Sequence, residues 1–247
     1  MNGLTQLLRP DWPAPATVHA CVTTREGGVS LPPYESFNLG DHVGDDPAAV
    51  AENRRRLSDQ FAIQPAWLKQ VHGLLVADAD PAIVAEADAS WTDQAGIACT
   101  VMTAGSLLAW SCDRAGTRVA AAHAGWGGLA GGVLEATLDR LQVPADQVLV
   151  WLGPAIGPQA FEVGLEVRDA FTAVHPEAAR AFVPGERTGK LMADIYELAR
   201  IRLAARGVTA VYGGGFCTVS DPRFFSYRRT PQGGRFASLV WLAGATS

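Results

Sequence analysis

No stretch of this chain approaches the ~20 consecutive apolar residues that a membrane-spanning helix requires, so no span is expected. The lead MNGLTQLLRPDWPAP has no basic flank, apolar core or small-residue cleavage site, and so does not read as a signal peptide. Cysteine is sparse. Cys21, Cys99, Cys112 and Cys217 show no CxxC spacing, so neither a disulfide framework nor a paired-cysteine metal knuckle is expected. Free buried thiols in a cytoplasmic protein are the expectation. Positive charge is also short: 20 Lys and Arg face 25 Asp and Glu, for a net charge of −5. That balance argues against a general partner in nucleic acid or an anionic membrane. Arg54-Arg55-Arg56, on a predicted helix, reads as a solvated face, and Arg228-Arg229 is the other basic pair. Internal repeats, low-complexity tracts and linker-like charge blocks are missing too.

What is present suits a folded enzyme or binding protein. A hydrophobic fraction of 48% over 247 residues can bury a large core. Strands and helices are interspersed without strict alternation, and no helix interrupts residues 97–122, which points to a mixed or antiparallel sheet. One α+β domain over residues 1–247 is expected. Val18–Thr24 reads as a strand, with His19 a half-buried strand residue. The Gly/Pro/Ser/Asp-rich run TTREGGVSLPPYESFNLGDHVGDDP is anchored by Tyr34, Phe37 and Leu39, and a loop of that length is expected to be ordered and functional. It holds His42 among Asp41, Asp45 and Asp46, the setting of a surface histidine. Asp46-Pro47 should cap a helix in which Val50, Leu57 and Phe61 face inward and Asn53 to Arg56 face water.

Further along, residues 191–206 and 129–141 each read as one helix, and 148–152 as a strand buried on both faces. Val163, Val167, Phe171 and Val174 mark another helix. His175-Pro176 reads as a helix-end turn without a functional role. Residues 97–103, 208–212 and 236–242 read as strands.

The chemistry concentrates in two places. In Lys69-Gln70-Val71-His72-Gly73, an extended chain sets Gln70 and His72 on one side, and Gly73 permits a turn or a close approach. In Thr100–Gly128 an apolar strand, a turn at 113–116 and a second strand, 118–122, lead to His123 and a glycine-rich bend. Ser106 sits in the facing segment. Two histidines presented beside glycines suit zinc, which at a catalytic site takes three protein ligands and a water. A neutral serine hydroxyl is a poor third ligand. Cys112 lies six residues beyond Ser106, roughly 20 Å along an extended chain at ~3.3 Å per residue, and cannot simply replace it. Cys217, after the glycine triplet 213–215, can approach in space or remain an inert thiol. A Ser106–histidine nucleophile lacks both the G-x-S-x-G elbow and an orienting carboxylate. Arg228 and Arg229 follow an aromatic run and suit either an anion or a surface charge pair.

At these residues the chain resembles a known family. TTREGGVSLPPYESFNLGDHVGDDP, LKQVHG, AAAHAGW, WLGPAIGPQAFEVG and FFSYRR are similar, nearly end to end, to the YfiH-type laccase-domain proteins. Those proteins are also described as polyphenol oxidases or purine nucleoside phosphorylases. The resemblance implies a single α+β domain with zinc held by two histidines and a cysteine. It implies phosphorolysis of adenosine, inosine, guanosine and methylthioadenosine, adenosine deamination, and copper-dependent phenol oxidation. The metal and catalytic positions fall on His72, His123 and Ser106, with Ser106 standing where the family pattern has cysteine. Lys69, Arg25 and Arg228 are the implied anion or substrate contacts. Gly105, Leu108, Gly127 and Gly215-Phe216 depart from the pattern as well, replacing carboxylates, guanidiniums and a proline. The expected partners are a purine nucleoside and phosphate. The expected enzyme is zinc-dependent and impaired by the missing thiolate. The alternatives are a non-catalytic small-molecule binder and a copper polyphenol oxidase.

Overall fold

The Leu107–Asp113 strand is buried at every residue, and that burial organises the fold. Its side chains alternate. Leu108, Trp110 and Cys112 meet a second sheet, while Leu107 and Ala109 meet helices. The protein is described here from a computed structural model over residues 7–244. The first six residues of the lead that does not read as a signal peptide lie outside that range.

Two large sheets stack face to face. One has the order Val211–Gly213, Val148–Leu152, Leu107–Asp113, Val119–Ala124, Ala89–Thr92, Val76–Asp78. The other has the order Leu7–Leu8, Val18–Thr23, Phe236–Leu242, Ile97–Thr103, Gln64–Ala66. Both mix parallel and antiparallel pairs. Between them Trp110 stacks on Trp151 with ring centroids 4.8 Å apart, a contact worth about 0.5–1.5 kcal/mol beyond its buried area. The outer face of the first sheet is covered by the helices Val133–Leu141 and Ile195–Ala205, and that of the second by the helix Pro47–Phe61 and the loop residues Phe37 and Leu39. A three-stranded sheet, Glu162–Gly164, Lys190–Ala193 and Phe182–Pro184, and the pair Leu68–Lys69 with Ala85–Glu86 complete one α+β unit. Among the described residues no helix is long and apolar enough to cross a membrane.

Several expected elements break at identifiable causes. The strand expected over 97–103 is found there as Ile97–Thr103, whereas the apolar run expected to continue to residue 112 breaks at Ala104-Gly105-Ser106 and resumes as Leu107–Asp113 in the other sheet. The bend is clamped: Tyr227 N–H donates to the Ala104 carbonyl and Ile156 N–H to that of Gly105, each at 2.8 Å. The helix expected over 129–141 is two, Trp126–Gly131 and Val133–Leu141, because Gly132 turns left-handed with φ of 106°. The helix expected from Leu191 starts at Ile195, where Asp194 accepts from the N–H groups of Tyr196 and Glu197. Lys190–Ala193 is instead a strand.

The basic triplet is not a uniform solvated face. Arg54 lies 4.0 Å over the Trp67 ring and donates to the Leu39 carbonyl at 2.8 Å. Asn53, expected on the polar face, is buried. It donates to the Asn38 carbonyl at 2.9 Å and accepts from Val29 N–H at 2.9 Å. Those bonds order the long loop and carry His42 toward the site.

Candidate active site

Asp88 is the hub of the site, and it is fully buried. Its carboxylate accepts from the backbone N–H groups of Val71 at 3.1 Å, His72 at 2.9 Å and Gly73 at 2.6 Å. Its Oδ1 also lies 2.8 Å from His123 Nδ1. Burial works against ionisation, but the bonds from His123, Gly73 and Val71 outweigh it and hold the carboxyl below its ordinary range. An ionised carboxylate only accepts, so His123 donates through Nδ1–H and presents Nε2 to the cavity. The His123 backbone N–H closes a second link, to the Asp88 carbonyl at 2.7 Å. His123 does not follow its strand, as expected, but lies within it, Val119–Ala124, and is buried.

His72 meets His123 edge to face, with ring centroids 4.7 Å apart. Burial, then the neighbouring His123, pulls His72 below its ordinary imidazole value. Asp88 opposes this and Arg235 adds to it, so His72 is neutral near pH 7. Its backbone is left-handed, at φ of 59°, stabilised by the three donations to Asp88. The ring packs against Gly125. A Cβ added there would sit 2.7 Å from His72 Nδ1 and 3.6 Å from Ser106 Oγ. The strand bend and the Asp88 anchor therefore bring Ser106 and the two histidines, expected together, to one place.

They open into a cavity of about 620 Å³. Apolar and aromatic side chains line part of it (Met102, Ile156, Phe161, Trp126, Tyr227), and His42, Arg228 and Arg235 line another part. Gln70 also lines it and pairs with the Met102 backbone, donating to the carbonyl at 2.9 Å and accepting from the N–H at 2.7 Å. Arg228 reaches the cavity, whereas Arg229 is a loop clamp donating to the carbonyls of Thr218, at 2.8 Å, and Val219, at 3.0 Å. Lys69 points away, paired with Glu86 at 2.8 Å in solvent. Arg25 pairs with Glu35 at 3.1 Å and lies over Phe225, outside the cavity lining. Cys112 is in the core, its thiol pushed up to about 12 by burial and then by Asp113. Cys217 lies against Gly157, also outside the lining.

Asp88 and Arg235 escaped the sequence reading. Asp88 carried one faint signal, a carboxylate between two alanines, Ala87 and Ala89, at the edge of a buried strand. Arg235, after Gly233-Gly234, carried none.

The donor set does not match a resident zinc. It comprises two imidazoles and a neutral hydroxyl with no thiolate, while the one nearby carboxylate already accepts four hydrogen bonds. Among the described residues no three His, Cys, Asp or Glu side chains are grouped to hold a metal ion. What the arrangement supplies is a carboxylate-oriented imidazole, a second neutral imidazole and a hydroxyl in a cleft that also carries aromatic side chains and two arginines.

Sheets stacked in this way, with a two-histidine site where one sheet's strand crosses to the other, define an α+β enzyme-like class. The chain belongs to the family described as multi-copper polyphenol oxidoreductase laccase, whose model matches residues 19–243. It is 68% identical over 236 residues to a purine nucleoside phosphorylase of Pseudomonas aeruginosa, covering 95% of this chain and 98% of that one. It is 51% identical to the purine nucleoside phosphorylase YfiH of Escherichia coli, covering 97% and 100%. Among solved structures, a Neisseria meningitidis protein superposes with a TM-score of 0.93 at 52% identity, covering 96% of this chain and 99% of that one. YlmD of Geobacillus stearothermophilus superposes with a TM-score of 0.90 at 29% identity, covering 99% and 98%.

Proposed function

We propose that this protein is a purine nucleoside phosphorylase whose reaction centre is the His123–Asp88 pair with His72. The observation that carries the reading is the cavity itself, which is lined by Trp126, Phe161, Tyr227, Arg228 and Arg235 together with an oriented imidazole. Aromatic and apolar side chains suit a purine face, and the few polar groups fix its orientation. In phosphorolysis a phosphate oxygen bonds to ribose C1′ as the C1′–N9 bond breaks. The bonding pair leaves on the purine, which takes up a proton. His123 Nε2 is placed to exchange that proton, and Asp88 holds the ring and stabilises its charged form. Neutral His72 offers a hydrogen bond without adding charge.

Adenosine, inosine, guanosine and methylthioadenosine are the proposed substrates. Adenosine deamination, in which water displaces ammonia at C6, would use the same imidazole as base. Zinc, if bound, would act as a Lewis acid held by His72 and His123, but Ser106 contributes no charge to neutralise it, and no step above runs through the metal. Copper-dependent phenol oxidation fits this donor set less well still. A cytoplasmic location belongs to the same proposal, in keeping with four free cysteines, three of them buried.

A second reading, a binding module without turnover, is favoured by one observation: the third side chain beside the two histidines, Ser106, is a neutral hydroxyl. Incubating the protein with inosine and inorganic phosphate separates the two. The phosphorylase reading expects hypoxanthine and ribose 1-phosphate in equal amounts, dependent on phosphate. Nucleoside binding with no base released, at enzyme concentrations matching the substrate, leaves the binding module.

A further inference from the structure

The chain is acidic overall, yet the residues lining the cavity include two arginines and three histidines and no carboxylate. Such a pocket concentrates anions against the field of the whole protein.

Arg235 is the more fixed of the two arginines. Its Nη1 donates to the carbonyls of Gly233 at 2.9 Å and Gly234 at 3.1 Å. Its guanidinium lies 5.8 Å from the Tyr227 ring centroid, and its stem packs on Gly40. Among the described residues no carboxylate lies within ion-pair distance of it, although it is half-buried. A desolvated guanidinium with no counter-charge is costly unless an anion arrives to meet it. Arg228 is exposed, with only long 3.4 Å contacts to the carbonyls of Ala160 and Glu162, and the Glu162 carboxylate is occupied by Arg187. Thr103, also in the lining and 2% exposed, has a hydroxyl without a partner in the protein. Two guanidiniums thus line the same cavity as the histidines, which also has the buried Thr103 in its lining.

We propose that Arg235 and Arg228 form the subsite for free inorganic phosphate. This rests on the phosphorylase reading for its role in turnover, but not for the binding itself. The guanidinium fork matches a tetrahedral oxyanion with two parallel bonds. Held there, phosphate lies on the histidine side of the cavity. Its oxygen can form the bond to C1′ while the C1′–N9 electron pair departs with the purine, and the product ribose 1-phosphate keeps the same contacts.

Calorimetric titration of the full chain with sodium phosphate tests the subsite without nucleoside. Arg235→Gln is expected to weaken phosphate binding at least about tenfold, the loss of charge-assisted hydrogen bonds. Arg235→Lys should recover part of the loss, and exposed Arg228→Gln should weaken phosphate by a smaller factor. If Arg235→Gln does not fold, Arg235→Lys and Arg228→Gln carry the comparison. Equal phosphate affinity in wild type and the variants overturns the subsite. So does binding of a nucleoside 5′-monophosphate with none of free phosphate, which places the arginines on a nucleotide instead. If phosphate binds and the variants lose it while no nucleoside is cleaved, the subsite stands and the phosphorylase reading falls. Phosphorolysis with an unchanged KM for phosphate in Arg235→Gln sinks the subsite and leaves the phosphorylase.

Discussion

Asp88 and His123 are tied twice, side chain to side chain at 2.8 Å and His123 backbone N–H to Asp88 carbonyl at 2.7 Å. The double link fixes both the imidazole and the strand that carries it. The same carboxylate gathers the Val71–Gly73 turn, so one buried charge positions both histidines.

Asp88→Asn is therefore expected to be costly in both activity and stability. An amide cannot accept at both ends, and one donor would face another. A loss of about 2–4 kcal/mol of stability is expected from breaking this charged network, measured by urea unfolding. Turnover should fall by at least about 100-fold, as for removal of an orienting carboxylate. A variant with normal turnover would show that His123 does not need its partner.

Stability should fall on acidification. His72 and Asp88 both have lowered native values, so the unfolded chain binds more protons than the folded one and unfolding free energy rises with pH. The His72 contribution is present above its ordinary 6.5 and is lost as pH falls below that toward the lowered native value. The Asp88 contribution follows below its ordinary 3.8. Comparing urea midpoints at about pH 5 and about pH 7.5 for wild type and His72→Gln checks the upper window, where the variant should show a shallower slope. Parallel slopes would remove His72 as the cause.

Gly125→Ala should impair the site more than the fold, because its Cβ would meet His72 Nδ1 at 2.7 Å. The ring must move, and displacements of this size at a reacting group cost on the order of 100-fold in rate. Gly127→Ala is the control, with no atom within 4 Å of its Cβ. The melting temperature and steady-state kinetics of the pair give the answer. Equal kinetics would mean that His72 is not held where the reaction needs it.

Metal content should respond to Ser106. Purified wild type is expected to hold well under one zinc per chain, and chelator treatment to leave its activity unchanged. Ser106→Cys supplies a thiolate beside two imidazoles and should bind zinc at least about tenfold more tightly, since thiolate is the softer, charged donor. Elemental analysis after dialysis measures both. Stoichiometric zinc in the wild type would restore Ser106, or an unrecognised group, as an effective ligand.

The sequence by itself determined the elements whose cause is local. The Asp46 cap and Pro47 start a helix where expected, and the unbroken apolar run Val148–Leu152 is a strand buried on both faces. Gln70 and His72 both line the cavity while Lys69 faces solvent, as expected, but the extended alternation ends at Lys69 and His72 reaches the cavity through a left-handed bend. Tertiary structure decided the rest. No periodicity shows that the apolar run after Ile97 must bend at Gly105 and change sheets, because the bend is held by Tyr227 and Ile156, far away in the chain. Nor does it show which charges are used elsewhere. Arg25 and Lys69 spend theirs on Glu35 and Glu86, while Arg235, with no signal of its own, arrives uncompensated beside His72. Side-chain type and spacing are written in the chain. Whether a charge meets a partner or an empty cavity depends on which distant segment packs against it, and only the fold settles that.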